Sequence, residues 1–176
     1  QISNISPLSG LTSLTVLYLN ENQITDITPL SNLTHLTELV LTNNQVSDIQ
    51  PLESLTSLTK LWLGFNQIDD ISSLANLTSL TILDLYQNCI TDVSPLSNLT
   101  SLTTLALEYN QISDIAPLSN LTSLTKLWLS NNQISDIAPL VDNPGLGEGD
   151  EVALRSNPLS DDSLSTLIPQ LQARGV

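Results

Sequence analysis

The sequence repeats itself every 22 residues. The pattern L-x-x-L-x-x-L-x-L-x-x-N-x-I-x-D-I-x-P-L-x-x begins at Leu11, Leu33, Leu55, Leu77, Leu99 and Leu121. Residues 1–10 match the second half of such a copy, and after Leu140 the register breaks until "EVALRSNPL" resumes it. A fixed period of this length is typical of a solenoid, in which each repeat packs only against its neighbours. We therefore predict a solenoid over residues 1–140, followed by a divergent last repeat and a cap over residues 141–176.

Seven positions of each copy are apolar. In the first copy they are Leu11, Leu14, Leu17, Leu19, Ile24, Ile27 and Leu30, and the other full copies also place Leu, Ile or Val there. The alternation around Leu17 and Leu19 predicts a short strand whose side chains point alternately inward and outward. Stacked copies would place these strands in a parallel sheet, about 4.8 Å apart. We expect all seven positions to point into the core.

An asparagine column runs through the repeats at the point where the chain leaves the strand. Its members are Asn22, Asn44, Asn66, Asn88, Asn110, Asn132 and Asn157. A buried amide needs partners for its donors and its acceptor, and a turn supplies unpaired backbone groups. This column is therefore predicted to be structural.

A column of aspartates lies four residues after the asparagine column in the sequence. Its members are Asp26, Asp48, Asp70, Asp92, Asp114 and Asp136. Stacked carboxylates could bind Ca²⁺, but one carboxylate per repeat hardly assembles six oxygen ligands. An Asp before a tight turn commonly accepts backbone N–H bonds. We therefore predict turn capping and no metal site.

The paired motifs "LxxLxLxxNxI" and "DIxPLxxLTxL" resemble the 22-residue class of leucine-rich repeats, typified by bacterial internalins and by a eukaryotic phosphatase regulatory subunit. The resemblance implies an α/β-type curved solenoid with a concave parallel β-sheet and a convex side of short 3-10 turns and loops. It also implies that another macromolecule binds on the concave sheet. The matching residues build the solenoid and do not identify that ligand.

The C-terminal segment "SDDSLSTLIPQLQARGV" predicts a short helical cap over the last strand. It opens with Ser and Asp, which favour helix starts, and has apolar residues at helical spacing: Leu164, Leu167, Ile168 and Leu171. We expect Pro169 to split the cap into two short turns and Gly175 to end the second.

The charge balance limits the classes of partner. Eighteen acidic and four basic residues give a net charge of −14, which repels phosphate backbones and anionic lipids. We therefore expect no nucleic-acid binding, and no apolar run is long enough for membrane insertion. The chain begins at Gln1, so we interpret it as a piece of a longer precursor, and we expect a monomer. Few lysines, abundant Ser, Thr and Asn, and internalin-like repeats favour a bacterial secreted or surface protein.

Residues suited to catalysis are isolated from one another. His35 and the single Cys89 lie two repeats apart, so they form no dyad. The sequence shows no phosphate-binding loop and no nucleophile beside a base. We therefore predict no enzymatic activity and no cofactor.

All six aromatic residues and three of the four basic residues occupy the outward positions of the strand region. Trp, Tyr and Arg dominate binding hot spots because each combines a large apolar area with a polar group. Glu38 and Lys60, and likewise Lys126 and Glu151, should form exposed ion pairs, and Gly64 should leave a recess for a partner side chain. The predicted site residues are Tyr18, Lys60, Trp62, Phe65, Asp84, Tyr86, Glu108, Tyr109, Lys126, Trp128 and Arg155.

These outward residues favour a non-catalytic module that binds a protein partner on its concave face. Carbohydrate or cell-wall glycan binding is an alternative, because the aromatic rings could stack on sugars. The near-identical repeats also leave open an engineered or orphan scaffold without a native ligand. A minor alternative is ice binding through the threonine files, one from Thr12 to Thr122 and a second from Thr15 to Thr125.

Overall fold

A computed structural model describes residues 1–176 as a solenoid with one seven-stranded parallel sheet. The strands pair in chain order and in the register of the repeat, so that Leu17 lies beside Leu39 and Leu39 beside Leu61. This confirms the predicted sheet. The strands are β1 (Val16–Tyr18), β2 (Glu38–Val40), β3 (Lys60–Trp62), β4 (Ile82–Asp84), β5 (Thr104–Ala106), β6 (Lys126–Trp128) and β7 (Glu151–Ala153).

The opposite side of each repeat as far as Leu118 is a single 3-10 turn, as predicted. Proline stands in the first turn of five of these six helices, where its fixed φ suits a helix start and its missing N–H costs nothing. In the remaining helix Ser73 takes this place and its hydroxyl donates to the carbonyl of Ile49. The 3-10 helices are Ser6–Leu8, Thr28–Leu30, Gln50–Leu52, Ser72–Leu74, Ser94–Leu96 and Ala116–Leu118, and helix α1 (Ala138–Asp142) follows in the next repeat.

The apolar positions form one continuous core through the length of the solenoid. From the second copy onward all seven positions are buried in every full repeat. The first copy differs from the prediction, because Leu11 is 47% exposed and Leu14 and Leu17 are only partly buried. Residues 1–10 supply only half a repeat, so no strand stacks on the outer side of β1.

The asparagine column is structural, as predicted. The Asn44 amide nitrogen donates to the carbonyls of Leu41 and Leu19, at 3.0 and 2.9 Å, and its oxygen accepts the N–H of Ile24 at 3.0 Å. The same three types of bond recur at Asn66, Asn88, Asn110, Asn132 and Asn157. Each amide therefore ties its own turn to that of the preceding repeat.

The aspartate column caps the turns, which confirms the predicted role. In every repeat the Oδ1 atom accepts the backbone N–H two residues further along, at 2.8 Å, as Asp26 does from Thr28. This bond holds the chain at the start of the 3-10 helix.

The C-terminal cap is one unbroken helical segment, and the prediction that Pro169 divides it is wrong. A π-helical turn, Ser163–Leu167, continues directly into α2 (Ile168–Ala173). Pro169 lies in the first turn of α2, where the wider π turn before it accommodates the missing donor. Gly175 follows the helix with φ of 88°, the left-handed conformation that favours glycine, as expected. Leu164, one of the four apolar residues at helical spacing, is 53% exposed.

Arg174 attaches this cap to the rest of the solenoid. Its guanidinium donates to the carbonyl oxygens of Val141, at 2.7 Å, of Asn143, at 2.6 Å, and of Leu146. The planar fork of an arginine suits several carbonyls at once. The one basic residue outside the strand region therefore has a structural role that its position in the sequence did not indicate.

Candidate binding face

The outward side chains of the strand region stand in rows across the sheet. Because the strands pair in the register of the repeat, equivalent residues of successive copies stand side by side. Tyr18, Phe65 and Tyr109 are exposed, at 59%, 45% and 49%, whereas the other aromatic side chains are partly buried. Every aromatic ring of the chain therefore remains accessible on one surface, where the sequence predicted it.

Three of these rings form a row across neighbouring repeats. The ring centroids of Phe65 and Tyr86 are 4.9 Å apart, and those of Tyr86 and Tyr109 are 5.2 Å apart. The planes are tilted by 47° and 56°, a common arrangement for aromatic pairs. Tyr86 therefore packs between the other two rings.

Phe65 and Tyr109 stand at a position where the chain turns in the left-handed conformation. Both have φ of 56°, and the equivalent residues of the other copies have φ of 51–59°: Glu21, Asn43, Gln87, Asn131 and Ser156. Asparagine tolerates this conformation, whereas bulky side chains are uncommon in it. Two aromatic rings thus occupy positions that backbone energetics would assign to asparagine or glycine.

A shallow groove of about 340 Å³ lies beside this row, between β3 and β6. Trp62 and Trp128 line its two ends, and the predicted site residues Phe65, Asp84, Tyr86 and Glu108 also line it. Small and aliphatic residues that were not predicted as site residues complete the groove. These are Thr42, Ile82, Leu83, Thr104 and Ala106. The repeat period indicates that all of these residues except Leu83 point outward. Their residue types, however, do not indicate a binding site.

Two carboxylates lie in the groove. Asp84 and Glu108 are partly buried, and burial is the main reason that the pKa of each carboxyl is raised. Asp84 Oδ1 accepts the Tyr86 N–H at 2.9 Å, which opposes the shift, and the charge of Asp84 further raises the pKa of Glu108. Glu108 Oε2 is buried without a hydrogen-bond partner.

The recess predicted at Gly64 is not open to a partner. A Cβ atom at this glycine would lie 3.2 Å from both carboxylate oxygens of Asp84. Gly64 is itself buried. Its missing side chain makes room for Asp84 within the chain, so the prediction that a partner side chain inserts there is wrong.

The first three strands form a second depression, of about 540 Å³, that Tyr18 and Phe65 line. The Tyr18 hydroxyl donates to Glu38 Oε1 at 2.6 Å, and this bond is the main cause of the raised pKa of Tyr18. Lys60 Nζ lies 3.5 Å from Glu38 Oε2, which confirms the predicted ion pair. The charge of Lys60 is therefore engaged within the chain.

The last strands arrange their charges differently from the prediction. Lys126 lies beside Glu151 in the sheet, but Glu151 Oε1 accepts the indole N–H of Trp128 at 3.1 Å and forms no ion pair with Lys126. The indole offers a donor directly across the strands, and Lys126 extends into solvent. Arg155 is exposed at the edge of a depression that Glu108 and Trp128 also line.

The residues considered for catalysis remain apart. The His35 ring nitrogen Nδ1 lies 3.0 Å from the Thr12 carbonyl oxygen, and Cys89 is an exposed free thiol. No group of three or more His, Cys, Asp or Glu side chains has an arrangement suited to a metal ion. None of the helices is both long and apolar enough to cross a membrane.

The repeat geometry agrees with a family model. A model described as leucine-rich repeats in two copies matches residues 1–32, 34–76, 78–120 and 100–142. The chain belongs to the leucine-rich repeat family. Proteins of this family generally mediate protein–protein recognition.

Solved internalin structures resemble this leucine-rich repeat protein over most of its length. The internalin inlF of Listeria monocytogenes is 39% identical, with a TM-score of 0.73 over 96% of this chain and 55% of that one. Internalin C2 of the same species is 38% identical, with a TM-score of 0.69 over 89% of this chain and 76% of that one. The chain is thus internalin-like and spans about half the length of inlF.

More distant structures share the fold. A leucine-rich repeat protein of Leptospira interrogans is 25% identical, with a TM-score of 0.83 over 97% of this chain and 50% of that one. The plant peptide hormone receptor RGFR1 in complex with RGF2 is 22% identical, with a TM-score of 0.76 over 89% of this chain and 27% of that one. No curated protein sequence matches the chain.

Proposed function

We propose that this chain is a non-catalytic recognition module that binds a protein partner on its concave face, between β3 and β6. The observation that carries the proposal is the groove in which two tryptophans, a row of aromatic rings and two carboxylates converge. Interface cores are enriched in aromatic residues, and a few such residues usually dominate the binding energy. The family's general role in protein recognition supports the same reading.

The turn after the strand is left-handed in every copy, and only Phe65 and Tyr109 place an aromatic ring there. Asn43 and Asn131 meet the same turn requirement without an exposed ring. The turn itself does not require an aromatic side chain, and the two rings enlarge the aromatic surface of this face.

The threonine files offer less for recognition. In the second file, the hydroxyls of Thr37, Thr59, Thr81, Thr103 and Thr125 each donate to a backbone carbonyl of the preceding repeat. These hydroxyls are therefore already engaged within the solenoid. Ice binding would rest on the first file, which begins at Thr12.

Glycan binding is the second candidate function. Aromatic rings beside carboxylates, as at Trp128 and Glu108, also suit the apolar faces and hydroxyls of a sugar. We further propose a monomer that acts at a bacterial cell surface or after secretion, in line with the bacterial origin of the internalin-like structures. An engineered scaffold would bind neither class of ligand.

The experiment screens the immobilised wild-type chain against a displayed library of protein fragments and, in parallel, against a glycan array. Each ligand found is titrated against Trp62→Ala, Tyr86→Ala and the control Thr78→Ala, which alters an exposed residue outside the sheet. For a protein ligand we expect either aromatic substitution to cost about 2 kcal/mol of binding free energy or more, and the control to cost nothing measurable.

Three outcomes contradict the proposal. Ligands found only on the glycan array favour the second candidate function. A protein ligand whose affinity depends on Thr78 and ignores Trp62 and Tyr86 places recognition outside the concave face. An absence of any ligand in both screens favours a scaffold without a natural partner.

A further inference from the structure

The two tryptophans define the ends of the groove at one register position of the sheet. Trp62 pairs with Asp84, Asp84 with Ala106 and Ala106 with Trp128 along successive strands. Three strand spacings separate the backbones of the tryptophans by about 14 Å. Asp84 and the small, buried Ala106 form the floor between them. Two indole rings therefore flank the groove, and the carboxyl group of Asp84 lies on its floor.

The carboxylates of this groove have no cation within the chain. The single salt bridge of the structure joins Lys60 to Glu38, and neither Asp84 nor Glu108 takes part in one. Asp84 accepts one backbone N–H, and Glu108 Oε2 is buried without a partner. A buried carboxylate oxygen without a donor is costly, because it has lost water and gained nothing in return. The groove thus contains two carboxylates without a cation, and one of them has an oxygen without a donor.

Among the groups of a protein partner, the arginine side chain fits this surface most closely. Its planar guanidinium stacks on aromatic rings and presents several N–H donors in a fixed fork, which suits two carboxylates in one site. The ammonium of lysine is a compact, strongly hydrated charge that does not stack in this way. The net charge of −14 would also steer a basic segment towards the chain.

We propose that the groove binds an arginine side chain of the partner, with its guanidinium between Asp84 and Glu108 and against the ring of Trp128. The proposal rests on the proposed function and names the anchor of that protein partner. It makes charge complementarity, together with apolar area, the source of specificity on this face.

The test uses short blocked peptides, Gly-Gly-X-Gly-Gly, in which X is arginine, citrulline or lysine. Citrulline has nearly the shape of arginine and no charge. Each peptide is titrated into the ¹⁵N-labelled full chain, and the amide signals and the tryptophan indole signals are followed by NMR. We expect the arginine peptide to shift the signals of Asp84, Tyr86, Glu108 and Trp128 with millimolar affinity, lysine to bind more weakly, and citrulline to leave these signals unmoved.

Matched variants separate the groove from the overall charge. Asp84→Asn and Glu108→Gln should each weaken arginine binding roughly tenfold, the size of one charge-assisted hydrogen bond. Glu53→Gln removes the same charge from an exposed residue outside the sheet and should change the affinity less than about twofold. A circular dichroism spectrum equal to that of the wild type would show that each variant is folded.

Several results would overturn the arginine anchor. They are equal binding of citrulline and arginine, equal weakening by Glu53→Gln and Glu108→Gln, and no shift in the groove at millimolar peptide. The protein-binding function can survive any of these results. Suppose that a protein ligand loses affinity with Trp62→Ala but not with Asp84→Asn or Glu108→Gln. The concave face would then remain the binding site, and only the arginine anchor would be rejected.

Discussion

Phe65 and Tyr109 adopt the same left-handed backbone conformation, each with φ of 56°, at equivalent positions two repeats apart. Tyr86 lies between them in space and contacts both rings. The left-handed conformation costs ordinary L-residues about 1–2 kcal/mol. An aromatic pair contributes about 0.5–1.5 kcal/mol, so the ring row offsets much of this cost.

The first prediction follows from these opposing terms. Phe65→Asn loses the contact with Tyr86 but relieves the backbone, so its free energy of unfolding should stay within about 1 kcal/mol of the wild type. Phe65→Val loses the same contact and puts a β-branched residue in the left-handed region, so it should be clearly less stable than Phe65→Asn. Urea denaturation measures both. If the two variants were equally stable, the left-handed turn would not disfavour β-branched side chains.

The second prediction concerns the asparagine ladder. Asn88→Ala removes donors to the carbonyls of Leu63 and Leu85, both at 3.1 Å, and the acceptor for the Ile68 N–H at 3.0 Å. Buried groups left without partners cost about 1–3 kcal/mol each, so we expect a loss of at least about 2 kcal/mol in the free energy of unfolding. Cys89→Ala alters the next, exposed residue and is the control. A loss at Asn88 no larger than at Cys89 would mean that solvent replaces these bonds.

The third prediction is that chelators leave the fold intact. Each Asp of the column already holds a backbone N–H at 2.8 Å, which accounts for it without a metal ion. Adding EDTA to dialysed protein should not change the melting temperature in calorimetry. A fall of many degrees would contradict turn capping as the main role of the column.

A pair of variants at Asp114 tests the same bond directly. Asp114→Ala should lose about 1 kcal/mol of stability because it removes the acceptor for the Ala116 N–H. Asp114→Asn keeps an oxygen in that place and should lose less.

The repeat period made most of the solenoid predictable from the sequence. A residue such as Asn88 or Asp92 has its role fixed by its position in the copy, because every copy meets the same neighbours above and below. This logic fails where the neighbours change. Leu11 occupies a core position but is exposed, since only half a repeat precedes it. The π turn before Pro169 depends on how the cap packs, which helical spacing does not specify.

The sequence predicted which residues lie on the candidate face, but it did not predict which side chains bond to one another. The period placed Trp62, Tyr86 and Trp128 on one surface, and the structure brings them around one groove. The sequence did not predict which partner each side chain bonds to, because several partners lie within reach of a long side chain. Glu151 therefore bonds to Trp128 and not to Lys126, and Asp84 fills the space above Gly64.

The last prediction concerns pH. Burial raises the pKa of Asp84 above its ordinary value of 3.8, with the bond from Tyr86 N–H opposing the shift. Above 3.8 there is a pH range in which the folded chain still holds this proton and the unfolded chain has lost it. Stability therefore falls as the pH rises through this range, and the penalty is fully present at higher pH. Asp84→Asn removes the ionisation and can keep the acceptor for Tyr86.

We expect Asp84→Asn to unfold at a higher urea concentration than the wild type at neutral pH, and the difference to shrink as the pH falls towards 3.8. Asp70 is the control of opposite sign, because the bond from the Ser72 N–H lowers its pKa. The ionised Asp70 carboxylate stabilises the fold at a pH above 3.8, and this stabilisation is lost as the pH falls through the lowered pKa. Asp70→Asn should therefore be less stable than the wild type at neutral pH. Shifts in the same direction for both variants would contradict this assignment. Asp84→Asn should then combine higher stability with weaker arginine binding, as expected of a residue retained for recognition at a cost to the fold.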